Sequence, residues 1–161
     1  MASPNTLRQN NQRGFTFIEL LIGVAILAVI FSLSLFIGFD FYKSYSFHFE
    51  KNTIVSVLQK ARSQSLNNIN QAPHGVYFAN PLQYIIFECV TPPSPCTSYA
   101  HADTSKNIVI NPAYGISITG TPFDVIFDQL SGASSDRTIT VTDSVREYDI
   151  SINSVGRIDW E

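Results

Sequence analysis

The run from Phe15 to Phe39 is apolar almost throughout. No side chain from Leu20 to Phe39 is charged, and Glu19 alone interrupts the apolar residues behind it. At about 1.5 Å per residue, ~25 such residues make a helix of roughly 37 Å, enough to span a hydrocarbon core about 30 Å thick. From Asp40 to about Asn68 the pattern becomes one-sided. Phe47, Ile54, Leu58, Ala61 and Ser65 recur at helical spacing, and Val55, Leu58, Arg62 and Leu66 form an overlapping row. Lys51, Asn52, Gln59, Lys60 and Ser63 fall largely elsewhere, which predicts an amphipathic helix facing a core. No proline occurs between Pro4 and Pro73, so the two patterns read as one continuous helix of about 50 residues.

After Asn68–Gly75, NINQAPHG, the period changes to two. Strands are expected at Val76–Ala79, Gln83–Val90, Asn107–Ile110, Gly115–Thr119, Phe123–Phe127, Thr138–Thr142, Glu147–Ile152 and Arg157–Trp160. Ile139 and Val141 share one face, as do Tyr148, Ile150 and Ile152. Pro81, the Pro92–Pro95 cluster, Pro112, Gly120 with Pro122, and Gly156 separate them. The expected fold class is α+β. A long N-terminal helix, half transmembrane and half amphipathic, packs on a C-terminal antiparallel β domain.

Composition adds little, at 45% hydrophobic and 14% charged residues, except to exclude disorder and a multi-span membrane protein. Charge adds more. Arg8 and Arg13 precede the apolar run with no acid beside them, whereas acidic residues outnumber basic ones after it. This arrangement keeps the N-terminus cytoplasmic and sends the rest across the membrane. Cys89 and Cys96 then lie in an oxidising compartment, where an even count favours one disulfide closing a short loop. A lone carboxylate such as Glu19 costs about 3 kcal/mol in hydrocarbon on insertion scales, so it needs a partner.

The stretch R-G-F-T-F-I-E-L, Arg13 to Leu20, resembles the processing site of type IV prepilins and type II secretion pseudopilins, whose consensus is G-F-T-L-I-E-L. Phe17 stands where leucine is common. The resemblance implies cleavage after Gly14 by a prepilin peptidase and N-methylation of the new N-terminal Phe15. It makes Glu19 the assembly and register residue, pairing with the amine of a neighbouring subunit. It also implies a pilin-like fold, with a leader at 1–14, a transmembrane and assembly helix at 15–39, its amphipathic continuation at 40–70 and a β-rich domain at 71–161. The implied function is a structural subunit, a minor pilin or pseudopilin of a type IV pilus or type II secretion pseudopilus. Implied partners are other pilin subunits through the N-terminal helix, the peptidase, the inner-membrane assembly platform and the inner membrane itself. The implied location is the bacterial inner membrane, single-pass, and then the filament in the periplasm or outside the cell. KARSQSLNN, FDQLSGASSDRTITV and ISINSVGRI further resemble the minor pseudopilin H/FimT group. Phe36 replaces the proline that many major pilins carry in this helix.

The residues explain the geometry of that motif. Cleavage removes both leader arginines and frees an α-amine whose ordinary pKa is about 8, so it is largely cationic at neutral pH. Glu19 lies four residues on, one helical turn from its own amine. A carboxylate in a first turn also gains about 0.3–1 kcal/mol from the helix dipole.

Other chemistry is less supported. Cys89, Cys96, His101 and His74 could be imagined around zinc, but the spacing matches no common zinc pattern. A redox pair would want C-x-x-C. His48, His74 and His101 carry no catalytic motif, so no enzyme and no cofactor is expected. Asp124, Asp128, Asp136 and Asp143 sit near turns, where Asp serves turn geometry, and no calcium loop is present. The exported basic residues are scattered beyond Lys60/Arg62, which argues against nucleic acid. The aromatic cluster Phe39 to Phe49 reads as an interfacial belt followed by a packing face. The alternative to a filament subunit is a membrane-anchored, exported β-domain binding module, for instance one acting in DNA uptake or adhesion.

Overall fold

The computed structural model describes residues 14–80, 82–90, 96–113, 115–143 and 145–160, with side chains described except at 35–40. The leader arginines, Pro81 and the Pro92–Pro95 cluster lie outside the described residues, as does the Phe36 side chain. One helix, α1, spans Phe17–Leu66. Two compact units divide the chain, Met1–Tyr42 and Lys43–Glu161.

In the first unit every described side chain from Gly14 to Ser34 is exposed, including Phe17, Val24 and Phe31. Phe17–Ser34 is long and apolar enough to cross a membrane. Of its two hydroxyls, at Ser32 and Ser34, that of Ser34 donates to the Ile30 carbonyl at 3.1 Å. That bond satisfies the polar group inside the helix, as an apolar surrounding requires.

The second unit begins with α1 at Lys43. Phe47, Glu50, Ile54, Val57, Leu58, Ala61 and Ser65 are buried on one face, at the spacing of a helix stripe. α1 stops at Leu66 because Asn68, Asn70 and Gln71 adopt positive φ, which no continuing helix allows. That is short of the expected end near residue 70. Eight strands follow: β1 (His74–Ala79), β2 (Gln83–Glu88), β3 (Ile108–Ile110), β4 (Ser117–Ile118), β5 (Phe123–Phe127), β6 (Arg137–Thr142), β7 (Glu147–Ile152) and β8 (Ile158–Trp160). They form two antiparallel sheets in the orders β3-β2-β1-β5 and β4-β6-β7-β8. The expected strands are all present, four of them trimmed at their ends and β1 and β6 beginning earlier, at His74 and Arg137.

Helix and both sheets share one core. Ile54, Leu58 and Ala61 pack with Val76, Phe78, Tyr84 and Phe127 of one sheet and with Ile139, Val141 and Ile150 of the other. Each such aliphatic or aromatic side chain contributes about 1.5–3 kcal/mol of burial. β7 alternates strictly, with Tyr148, Ile150 and Ile152 inward and Glu147, Asp149 and Ser151 outward. β2 does not: Tyr84 to Glu88 are all buried. Its outer face is covered by the segment that carries Tyr99, whose ring stacks on Tyr77 at 4.2 Å and stands edge-on to Phe87 at 5.2 Å. Gly75 makes room for that layer, since a Cβ there would lie 2.6 Å from the Phe87 ring.

Candidate processing and assembly site

Gly14, Phe15 and Thr16 precede α1 in non-helical conformation, and all three are exposed. Around Gly14 nothing approaches within 4 Å of where a Cβ would stand. Phe15 is 85% exposed, so the Gly14–Phe15 peptide bond sits in accessible chain ahead of the helix. The helix starts immediately afterwards because Thr16 caps it. The Glu19 N–H donates to Thr16 Oγ1 at 3.3 Å and to the Thr16 carbonyl at 3.1 Å, and the Leu20 N–H donates to that carbonyl at 3.2 Å. Thr-x-x-Glu is the sequence signature of a helix N-terminus. The motif was legible in the sequence, yet the role of Thr16 becomes plain only from this bond. Glu19 falls at the third helical position, exposed, and among the described residues its carboxylate has no ion-pair partner.

Residues 9–35 match the family described as the prokaryotic N-terminal methylation motif. The chain carries a type IV prepilin-like signal. The match spans Gly14, Phe15 and Glu19 and ends before the β strands begin. Comparisons with curated proteins and with solved structures give no match. A precursor with this signal is the substrate of prepilin peptidase.

In the globular unit of the prepilin-like chain, Cys89 and Cys96 are joined as a disulfide, with Cα atoms 5.9 Å apart. The imagined zinc set therefore lacks its thiolates, and among the described residues no group of three or more His, Cys, Asp or Glu side chains converges. His101 lies on the surface near Ser98, away from His74 in role: His74 is buried and faces the Glu88 carboxylate, Nε2 to Oε2 3.6 Å. Glu88 also accepts from Asn70 Nδ2 at 2.6 Å and pairs with Lys106. Burial holds the His74 imidazole below its ordinary pKa, an effect that the Glu88 charge offsets only in part. Burial alone would raise Glu88, but hydrogen bonds from Lys106 and Asn70 and the nearby positive charges outweigh it, leaving the carboxyl below its usual range.

A second buried acid escaped the sequence reading. Glu50 lies on the helix face among apolar positions and accepts from the Ala113 N–H at 2.8 Å, on the segment that leads from one sheet to the other. Burial, and then the proximity of Glu50, pushes the Tyr84 phenol far above its ordinary pKa. Helical spacing from Phe47 and to Ile54 puts this Glu on the core face, but its acidic character makes it read as solvated. Arg62, half of the only basic pair, donates to the Gly132 carbonyl at 3.3 Å and the Val155 carbonyl at 3.2 Å, so its N–H groups hold loops. Asp143 serves its turn, accepting from the Val145 and Arg146 N–H groups at 2.7 and 2.6 Å. Asp124 accepts from the Tyr99 N–H at 2.7 Å and lines, with Asp128 and Arg137, an open cleft of about 480 Å³.

Proposed function

We propose that this chain is a structural, non-enzymatic subunit of a type IV pilus or type II secretion pseudopilus, nearest in kind to the minor pseudopilins of the H/FimT group. Prepilin peptidase cuts between Gly14 and Phe15 and the new Phe15 amine is methylated. The segment from 15 to 39 holds the subunit in the inner membrane with its N-terminus cytoplasmic, and residues 71–161 form the exported β domain. On extraction the apolar helix leaves lipid for neighbouring subunit helices, and Glu19 pairs with a neighbour's Phe15 amine. N-methylation preserves the positive charge, so the pair survives it.

The observation that carries this reading is the methylation-motif match over residues 9–35, whose processed end opens onto the wholly exposed apolar stretch Phe17–Ser34. An all-round apolar helix is stable only where lipid or other helices cover it. Intact mass and N-terminal peptide sequencing of the filament-associated chain test it. The expected product starts at methylated Phe15, and a chain that still starts at Met1 overturns the reading. Copurification with other pilin-like subunits separates it from a membrane-anchored binding module.

A further inference from the structure

β5 is an edge strand of its sheet, and its free side opens into the cleft that Asp124, Asp128 and Arg137 line. Along an antiparallel strand every second residue turns both its N–H and its C=O away from the neighbouring strand. Two contacts fix which residues of β5 these are. The Phe127 carbonyl turns to β1, where the Ser65 hydroxyl bridges it to the His74 N–H with a bond of 2.8 Å on each side. The Asp128 N–H and C=O turn the other way, to the Ala133 carbonyl at 2.7 Å and the Gly132 N–H at 2.8 Å. Ile126 and Asp124 share the direction of Asp128. Among the described residues their N–H and C=O groups have no partner.

The arm that follows the turn would be that partner, but it splays away. Residues 133–137 start back along β5, and the Arg137 guanidinium lies 4.8 Å from the centre of the Phe123 ring. The arm's backbone nevertheless leaves for the second sheet. The Ser134 N–H donates to the Ser154 carbonyl at 3.3 Å, and Arg137 pairs with Ile152 at the start of β6. A gap of about 480 Å³ remains between β5 and the arm, with Cys96 and Thr97 along it. The Ser134 hydroxyl is buried at this gap with no hydrogen-bond partner among the described residues.

Two donors and two acceptors on residues two apart repeat at roughly 7 Å, which is the repeat of another extended chain. From Asp124 to Asp128 the gap runs ~13 Å, the length of about four extended residues. Walls on both sides admit a single strand and not the edge of a folded sheet. Charge then selects among strands. The Asp124 carboxylate already receives the Tyr99 N–H at 2.7 Å, whereas Asp128 is exposed and has no ion pair among the described residues.

We propose that the β5 gap binds an extended peptide segment of another protein, which adds as a strand to Asp124 and Ile126 and sets a lysine or arginine against Asp128. Main-chain bonds give a strand added in this way its affinity, and alternate side chains give it specificity. The site lies wholly within the unit Lys43–Glu161 and does not depend on entry into a filament.

The test uses the full chain, isotope-labelled in detergent micelles and followed by amide nuclear magnetic resonance. The probe is the peptide acetyl-Thr-Val-Thr-Lys-Thr-Val-Thr-amide. On titration the Asp124 and Ile126 amides are expected to shift downfield, and the Val125 amide, which faces β1, several-fold less. Asp128→Asn, or Glu in place of the peptide's Lys, is expected to weaken binding several-fold. N-methylating alternate amides of the peptide is expected to abolish binding for the set that faces β5. No shift at millimolar peptide, shifts confined to other residues, or full binding by both N-methylated sets overturns the proposal. A Glu peptide that binds as well as the Lys peptide overturns the basic partner. Shifts of the same two amides that grow with protein concentration, without peptide, assign the gap to a second copy of the chain and also overturn the proposal.

Discussion

The backbone N–H of Glu19 points at the hydroxyl of Thr16, 3.3 Å away, so the helix cap and the Glu19 carboxylate proposed for assembly lie on one turn. The helix begins at Phe17, after the Thr16 cap, leaving the Gly14–Phe15 bond proposed for cleavage outside it. Removing the cap without removing the acid is informative. Thr16→Val is expected to cost the first turn about 0.5–2 kcal/mol, with Thr16→Ser restoring it. Hydrogen exchange of the Glu19 and Leu20 amides in detergent measures this, and unchanged exchange in the valine variant shows that the cap does not hold the helix start.

Glu19→Ala separates insertion from assembly. The variant keeps the cap and gains apolar character, so membrane insertion and cleavage after Gly14 are expected to persist. Incorporation into filaments is expected to fall sharply, because the neighbour's amine loses its partner. Immunoblots of membrane and sheared filament fractions read both outcomes. Wild-type amounts of the variant in filaments refute the register role.

Acidification is expected to destabilise the globular unit in two stages. His74 has a lowered pKa when folded, so below the ordinary value of 6.5 the unfolded chain takes up a proton that the folded one resists, and stability falls. Glu88 is also lowered, so its contribution is full above its ordinary 4.5 and is lost as pH drops through the folded value. Thermal melts between pH 7 and pH 4 are expected to decline along this course, roughly as two linked titrations. His74→Gln flattens the part near pH 6 only. A melt profile of the variant that parallels the wild type removes His74 from the account.

Glu50→Ala is expected to lose about 1–3 kcal/mol, since the Ala113 N–H loses its acceptor and a buried site empties. Glu50→Gln keeps the shape and an acceptor for the Ala113 N–H and is expected to stay within about 1 kcal/mol of the parent. Urea unfolding followed by near-ultraviolet circular dichroism distinguishes them. Equal stability of all three proteins means that the Glu50–Ala113 bond adds nothing to the fold.

The loops at the far end of α1 offer a stability test of Arg62. Arg62→Met retains the packed stem but strips two carbonyls of their donors, for an expected loss of about 1–3 kcal/mol. Gly156→Ala is expected to be worse, because φ is +74° there and a Cβ would collide with the Gly132 carbonyl. Should Gly156→Ala unfold at the wild-type urea midpoint, the close approach of the two loops is not a constraint.

The amino-acid pattern alone determined the elements. Uncharged residues from Leu20 to Phe39 read as a span, heptad-like spacing from Phe47 to Ser65 as a one-sided helix, and alternation in Thr138–Thr142 and Glu147–Ile152 as half-buried strands. Such signals are local, because side-chain direction repeats every 3.6 residues in a helix and every two in a strand. The G-F-T-F-I-E motif was equally legible, since six adjacent residues carry it.

Pairing distant segments was left to the tertiary structure. Only packing decided that His74 is buried and that Arg62 bonds two loops. It also brought Tyr99 over β2. Helical spacing puts Glu50 on the core face but says nothing of what satisfies its carboxylate there. What satisfies it is the backbone N–H of Ala113, arriving from 63 residues away, a matter of how two sheets close over one helix.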